Sequence, residues 1–320
     1  MRLALLTLLT LIAFAANSVL NRLGIAGGQI GAAEFAAVRL LSGAGMLLAL
    51  VGLRAAVTGG AVWPGWRGRL VGALSLLAYL FGFSWAYRSL PAGAGALILF
   101  GMVQITMFAG ALLGGEAVPG RRWAGAGLAF SGLCLLLAPG GADLSLPHAA
   151  AMCFAGAGWG VYSLSGRGQA DALGATAWNF VLALPLGLGF ALAGAAESAP
   201  TPAGLWLAVL SGAVFSGLGY ALWYRLLPKL GASRAAVSQL MVPLLAALGG
   251  ILLLHEPLTL PFVLAGALVL GGVALAVLRR FGGLRRFPLQ SGTSGPMSGG
   301  LYSIYRSSVS SRLQFSILID

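Results

Sequence analysis

The chain has 320 residues, of which 59% are hydrophobic and only 8% charged, with 50 glycines and a mean hydropathy of +0.93. Soluble globular chains carry about 25% charged residues, so this composition excludes a water-soluble domain and makes the bilayer the solvent. The net charge of +12 does not point to nucleic acid, because the Lys and Arg residues occupy short gaps between apolar runs, where they orient a chain in a membrane.

A spanning helix needs about 20 mostly apolar residues, and its backbone polar groups must pair within the segment. Ten such runs follow one another: Leu3 to Leu20, Ala32 to Leu53, Leu70 to Tyr87, Ala92 to Leu113, Trp123 to Ala138, Ala149 to Ser165, Leu173 to Ala193, Leu205 to Leu226, Ala235 to Leu254 and Leu258 to Leu278. The expected fold class is an all-α membrane protein. The first run, with Arg2 ahead of it and Ala15-Ala16 near a plausible cleavage point, has features of a signal peptide. The run Ala149 to Ser165 opens the second half in the same way, so the first is expected to be retained as a helix.

The chain repeats itself. Tyr87-Arg88-Ser89-Leu90-Pro91, an apolar run with Gln104, then Gly115-Glu116-Ala117 returns as Tyr224-Arg225-Leu226-Leu227-Pro228, a run with Gln239 and Pro243, then His255-Glu256-Pro257. The Tyr-Arg pairs lie 137 apart (225 minus 88) and the Glu pair 140 apart (256 minus 116), so one three-residue insertion near Lys229 to Ser233 reconciles the copies. The halves are residues 1–138 and 149–280. Five spans per half is odd, so the second half enters the membrane from the opposite side, giving two inverted five-helix repeats. With a cytoplasmic N-terminus, twelve Lys or Arg residues between Arg2 and Arg280 fall inside and only Arg22, Arg39 and Arg88 outside, which puts both termini in the cytoplasm.

Small residues recur at four-residue spacing in Gly110/Gly114, Gly127/Ser131, Gly156/Gly160 and Gly212/Ser216. Close helix approach and the abundance of Gly and Ala each account for any one pair. Pro185 and Pro243 lie inside spans and are candidate kinks. Cys134 and Cys153 are packing residues without metal or redox spacing, and no metal or cofactor is implied. No catalytic triad, carboxylate pair or phosphate loop occurs, so an enzyme has no chemical centre here. Phe287 to Asp320, rich in Ser and Gly, is read as a disordered tail or a non-native appendage.

Ten spans in two halves, the Glu256-Pro257 step after the ninth span, Pro243 within it and Trp159-Gly160 in the sixth together resemble the drug/metabolite transporter superfamily in its EamA-type branch. The first half departs from that pattern, with Ala117 for Pro257, Val103 for Pro243 and Phe14-Ala15 for Trp-Gly. Length and aromatic content are most similar to the aromatic amino acid exporters of the YddG type. The resemblance implies a monomer in the bacterial inner membrane, with membrane lipids and a small-molecule substrate, an amino acid, as partners. It also implies a central cavity within spans 1, 3, 4, 6, 8 and 9, with spans 5 and 10 to the side. Transporters of phosphorylated or nucleotide sugars, and lipid-handling membrane proteins, are the alternatives.

Polar residues inside spans cost free energy unless paired or wetted, so they mark sites. In the implied cavity spans the candidate substrate-binding residues are Asn17, Tyr79, Ser84, Phe100, Gln104, Trp159, Tyr162, Ser163, Tyr220, Ser238 and Gln239. Tyr87, Trp123, Trp206 and Tyr224, near span ends, are read as an interfacial belt. Trp178 and Asn179 fall on a seventh span expected at the periphery. Glu34 and Arg39 are placed at one end of the second span and no carboxylate at the midplane, so the cavity is expected to be uncharged and proton coupling weak.

Overall fold

The computed structural model describes residues 2–58, 69–115, 118–138, 144–166, 169, 171–193 and 199–277, without the side chains of residues 227, 231–237 and 277. All regular structure among them is helical: α1 Arg2–Ala26, α2 Ala32–Thr58, α3 Leu70–Ala86, α4 Ala92–Leu113, α5 Gly120–Leu137, α6 Leu146–Ser165, α7 Ala172–Ala193, α8 Pro202–Val209, a π-helical stretch Leu210–Leu218, α9 Gly219–Gln239, α10 Met241–Leu254 and α11 Leu260–Val277. Residues Met1–Leu278 make one compact unit. Among the described residues α1, α2, α4, α7 and the stretch Pro202–Leu230 are long and apolar enough to cross a membrane, and Leu70–Ala86, Met241–Leu254 and Leu260–Ala276 are shorter apolar helices. The predicted tail, together with Glu116, Asp143 and Glu197, lies outside the described residues.

The helix boundaries follow local chemistry. Pro202 opens α8 and the Thr201 hydroxyl accepts the Gly204 N–H at 3.0 Å, the usual pairing of a capping oxygen with a proline that has no N–H to lose. At the end of α10, His255 takes a left-handed conformation (φ 53°) and the Glu256 N–H reaches back to the Gly250 carbonyl at 3.1 Å. Pro257 then prevents the helix from resuming. Two expectations need correction. Pro243 sits in the first turn of α10, three residues after the interruption at Leu240, so the expected kink is a full break between α9 and α10. The eighth and ninth runs are also not separated at Lys229 to Ser233, since α9 continues through Pro228 to Gln239 and the interruption falls at Leu240.

Small residues bring the rods into backbone contact, as expected where no hydrophobic effect drives helices together in lipid. A Cβ on Gly272 of α11 would lie 2.5 Å from the Gly125 carbonyl and 2.7 Å from the Ala129 nitrogen of α5. One on Gly156 of α6 would meet the Leu99 carbonyl of α4 at 2.7 Å, and one on Gly160 the Thr106 Cβ at 2.6 Å. A Cβ on Gly212 would strike the Arg39 carbonyl, which sets the π stretch directly against α2. Gly127 faces open space, so the Gly127/Ser131 spacing reflects composition. Large apolar side chains such as Leu113, Leu192 and Trp206 point outward, as a lipid-facing surface requires.

Contacts between rod ends sort into two sets. On one side Arg22 reaches Glu256 and the Tyr87 and Arg88 carbonyls, Thr201 bonds Gln29, and Trp85 stacks on His148. On the other, Arg54 meets Asp171, Arg69 meets Gln169, and Phe108 packs on Trp123. No bond among these mixes the sets. A Gly272→Leu substitution is expected to destabilise the fold by about 1–3 kcal/mol through overpacking, lowering the thermal midpoint followed by tryptophan fluorescence in detergent. Gly127→Leu should leave that midpoint unchanged.

Candidate functional site

The centre of the molecule holds a charge. Arg39 lies in the second turn of α2, about 10 Å along its axis from Ala32, and is 0% exposed. Its Nη2 donates to the Tyr79 hydroxyl of α3 at 2.8 Å and its Nε to the Ser216 hydroxyl of the π stretch at 3.1 Å. The guanidinium carbon stands 5.2 Å from the Tyr79 ring centre and 5.1 Å from that of Phe83, distances at which ring quadrupoles attract a cation. Its Nη1 and the Tyr220 hydroxyl make no hydrogen bond of normal length, although the guanidinium and that hydroxyl lie close enough to attract each other. The expectation of an uncharged interior is therefore corrected. As the eighth residue of α2, Arg39 reads as a span-end residue by position, but its side chain is turned into the bundle.

Rings wall this centre. Trp159 of α6 packs 4.9 Å from Tyr79, 5.2 Å from Tyr220 and 5.3 Å from Tyr162, centre to centre. Phe14 meets Tyr220 at 5.8 Å and Trp223 at 5.7 Å edge-on. These are the offset and edge arrangements aromatic pairs prefer. Just behind them the Ser211 hydroxyl donates to Asn17 Oδ1 at 2.6 Å, fixing the π stretch to α1.

A second, open site adjoins the first. A cleft lined by Arg69, Tyr162, Gln169, Thr176, Asn179 and Tyr224 opens on the side of the Arg54–Asp171 pair. Buried Tyr162 and Asn179 each keep an unpartnered polar atom there, the hydroxyl and Oδ1. Because Tyr162 stacks on Trp159 and Trp159 packs on Tyr79, a two-ring partition separates this cleft from Arg39. On the opposite side the bundle is tied shut. Glu256 accepts the Ala92 N–H at the start of α4 (2.8 Å) and Arg22 Nε (3.3 Å), while Arg22 Nη1 holds the Tyr87 and Arg88 carbonyls at 3.3 and 3.1 Å. Burial pushes the Glu256 carboxyl above its ordinary value, outweighing the opposing pull of the Ala92 N–H and Arg22.

Of the predicted site residues, Tyr79, Trp159, Tyr162 and Tyr220 come together, with Asn17 attached through Ser211. Ser84 donates to Asn21 Oδ1 at 2.7 Å and Ser163 to the Trp159 carbonyl at 2.7 Å, which commits both to holding helices. Phe100 is buried in the apolar core. Gln104 of α4 and Ser238 and Gln239 of α9 are half-buried. Two further readings change. Tyr87 is 0% exposed, stacked edge-on on Phe83 at 4.7 Å with its hydroxyl donating to the Ala92 carbonyl, so it belongs to the core and not to an interfacial belt. The seventh helix is not peripheral, since buried Phe180 meets Tyr220 at 6.1 Å and Asn179 faces the cleft with Tyr224. Sequence reasoning missed Arg39, Ser216 and Asn179. Each is a polar residue inside an apolar run, which was the available signal.

Comparison with known proteins is consistent with this architecture. The family model of the EamA-like transporter family matches residues 147–278, nearly the second predicted half. An uncharacterized protein of Pseudomonas aeruginosa is 46% identical over 281 residues, covering 88% of this chain and 96% of its own length. An uncharacterized transporter of Archaeoglobus fulgidus is 42% identical over 79 residues, 23% of this chain and 29% of the relative. One crystal structure superposes with a TM-score of 0.60 at 22% identity, over 83% of this chain and 96% of that one, a likeness of fold alone.

The cleft mouth yields a pH test. Arg54 donates twice to Asp171, at 2.8 and 2.7 Å, and Asp171 accepts the Gly174 N–H at 3.0 Å, so its carboxyl is held below the ordinary value, chiefly by the Arg54 hydrogen bonds. The depressed value means stabilisation present above the usual aspartate range and lost as pH falls through the lowered one. Asp171→Asn should cost about 0.5–1 kcal/mol at neutral pH, as a half-exposed pair does. The difference in thermal midpoint from the unaltered protein should shrink on acidification.

Proposed function

The chain belongs to the EamA-like transporter family, and from that premise we propose that it is a secondary transporter exporting amino acids, aromatic and other largely neutral ones, and related small metabolites by alternating access. Members of the family are multi-pass membrane transporters of small solutes and not enzymes. The observation that carries the finer reading is the ring-walled centre around Tyr79, Trp159 and Tyr220, parted by stacked rings from a cleft on one side and sealed on the other by Arg22 and Glu256. These rings pack on one another in this conformation, so a flat side chain enters only as they part, its polar end then meeting hydroxyl and guanidinium donors.

Ten crossings in two inverted five-helix halves are supported by the separation of rod-end contacts into two sets and by a family match confined to the second repeat. The excess of Lys and Arg on the cleft side supports a bacterial inner-membrane protein with cytoplasmic termini. The cleft then faces the cytoplasm and the Arg22–Glu256 tie closes the outer side. Phosphorylated sugars would also want a buried cation. The aromatic walls around Arg39 favour a flatter, less hydrated body.

Proteoliposome uptake tests the proposal: labelled phenylalanine should equilibrate into vesicles containing the protein and not into empty ones. Trp159→Ala should reduce the initial rate about 2- to 10-fold, the range of one lost aromatic contact or slightly more, at normal folded yield. Gln104→Ala should leave the rate unchanged. No protein-dependent uptake of any amino acid would reject the assignment.

A further inference from the structure

We propose that Arg39 is the substrate-anchoring residue, that it binds a carboxylate, and that the amino group of a substrate is dispensable; the proposal rests on the transporter reading above and specifies its site. Three buried donors meet here. Arg39 Nη1 and the Tyr220 hydroxyl make no hydrogen bond of normal length. The Tyr79 hydroxyl accepts from Arg39 and so keeps its own proton to give. Tyr220 faces both Arg39 and Tyr79. Arginine cannot discharge itself by losing a proton, and a buried cation is expensive unless an anion or a full set of acceptors meets it.

No described carboxylate does so. Asp171 is held by Arg54, Glu256 by Arg22 and the Ala92 N–H, and Glu34 folds back over Gly31 at the start of α2. A guanidinium serving only to fasten α2, α3 and the π stretch together would have its nitrogens filled. This one is left with a free edge against two phenols, a donor set matched to the two oxygens of a carboxylate. Among the described residues no free carboxylate is left to pair with an ammonium. Rings on the remaining sides suit an aryl or branched apolar body. The ligand class is therefore a small apolar monocarboxylate, with or without an α-amino group.

The wide turns of the π stretch put Ser216 onto Arg39 while Ser211 stays on Asn17. Such stretches occur frequently at functional sites. From the cleft, a ligand reaches Arg39 only when the stacked Trp159 and Tyr162 rings separate, so the anchor is occluded in the conformation described.

Three congeners on the full-length protein decide the matter: phenylalanine, 3-phenylpropionate, which lacks the amine, and phenethylamine, which lacks the carboxylate. Binding is read by quenching of tryptophan fluorescence in detergent and transport by uptake into proteoliposomes. The expected order is 3-phenylpropionate at least equal to phenylalanine, with phenethylamine about tenfold or more weaker. Arg39→Gln should abolish that discrimination. Tyr220→Phe, which leaves the guanidinium and the fold in place, should weaken both carboxylates several-fold and phenethylamine not at all, so the test survives if Arg39→Gln does not fold. Equal binding of all three, or binding of none by the folded protein, overturns the anchor. Arg39-dependent binding without uptake would uphold the anchor and reject the transporter reading. Uptake of phenylalanine and phenethylamine alike would do the reverse.

Discussion

A guanidinium surrounded by hydrocarbon has to be solvated by the protein itself, and the arrangement of three helical segments follows from that demand. Arg39 cannot turn to water from 0% exposure, so α3 supplies the Tyr79 hydroxyl and the faces of Tyr79 and Phe83, and the π stretch supplies Ser216. Glycine at 212 lets the π backbone come against α2 closely enough for Ser216 to reach. The cost of burying a charge in a membrane is about 2.5–3.5 kcal/mol on insertion scales, comparable with a few such hydrogen bonds. The site is thus built by partial payment of a solvation debt, with one nitrogen still open.

The two sides of the bundle are stabilised by different chemistry. Where Glu256 caps α4 and Arg22 gathers the carbonyls ending α3, four chain segments converge on one ion pair reinforced by backbone groups. On the other side Arg54 and Asp171 link only α2 to the start of α7, beside an open cleft. Packing of α5 on α11 through Gly125, Gly132 and Gly272 adds a seam of close backbone approach in which no hydrogen-bonded side chain is needed.

Much of the architecture was legible in the sequence because the bilayer imposes a simple rule of length and apolarity. The Ala92–Leu113 helix coincides with its predicted run, and α5 and α11, in the fifth and tenth predicted runs, pack on one another. The site was legible where polarity and ring content coincide, at Tyr79, Trp159, Tyr162 and Tyr220. It was not legible where position along a run stood in for direction. Arg39 and Tyr87 both occur near run ends and both point inward, because the side-chain vector depends on helix rotation, which neighbours fix and hydropathy does not record. Ser84 and Ser163 fail for the converse reason: a hydroxyl inside a span is as easily used by an adjacent helix or its own turn as by a solute. The π stretch has no sequence signature, so the run marks Ser216 as polar without telling that it turns onto Arg39.

A fixed positive charge with an open edge, buried in low dielectric, also raises the electrostatic potential around the cluster of hydroxyls that meets it. Sodium and hydronium meet a barrier there, the same physics by which an arginine in a water pore turns cations away. A cation entering the ring-lined centre would have to approach that charge, so the same residue that orders three helical segments also disfavours cation leak through them.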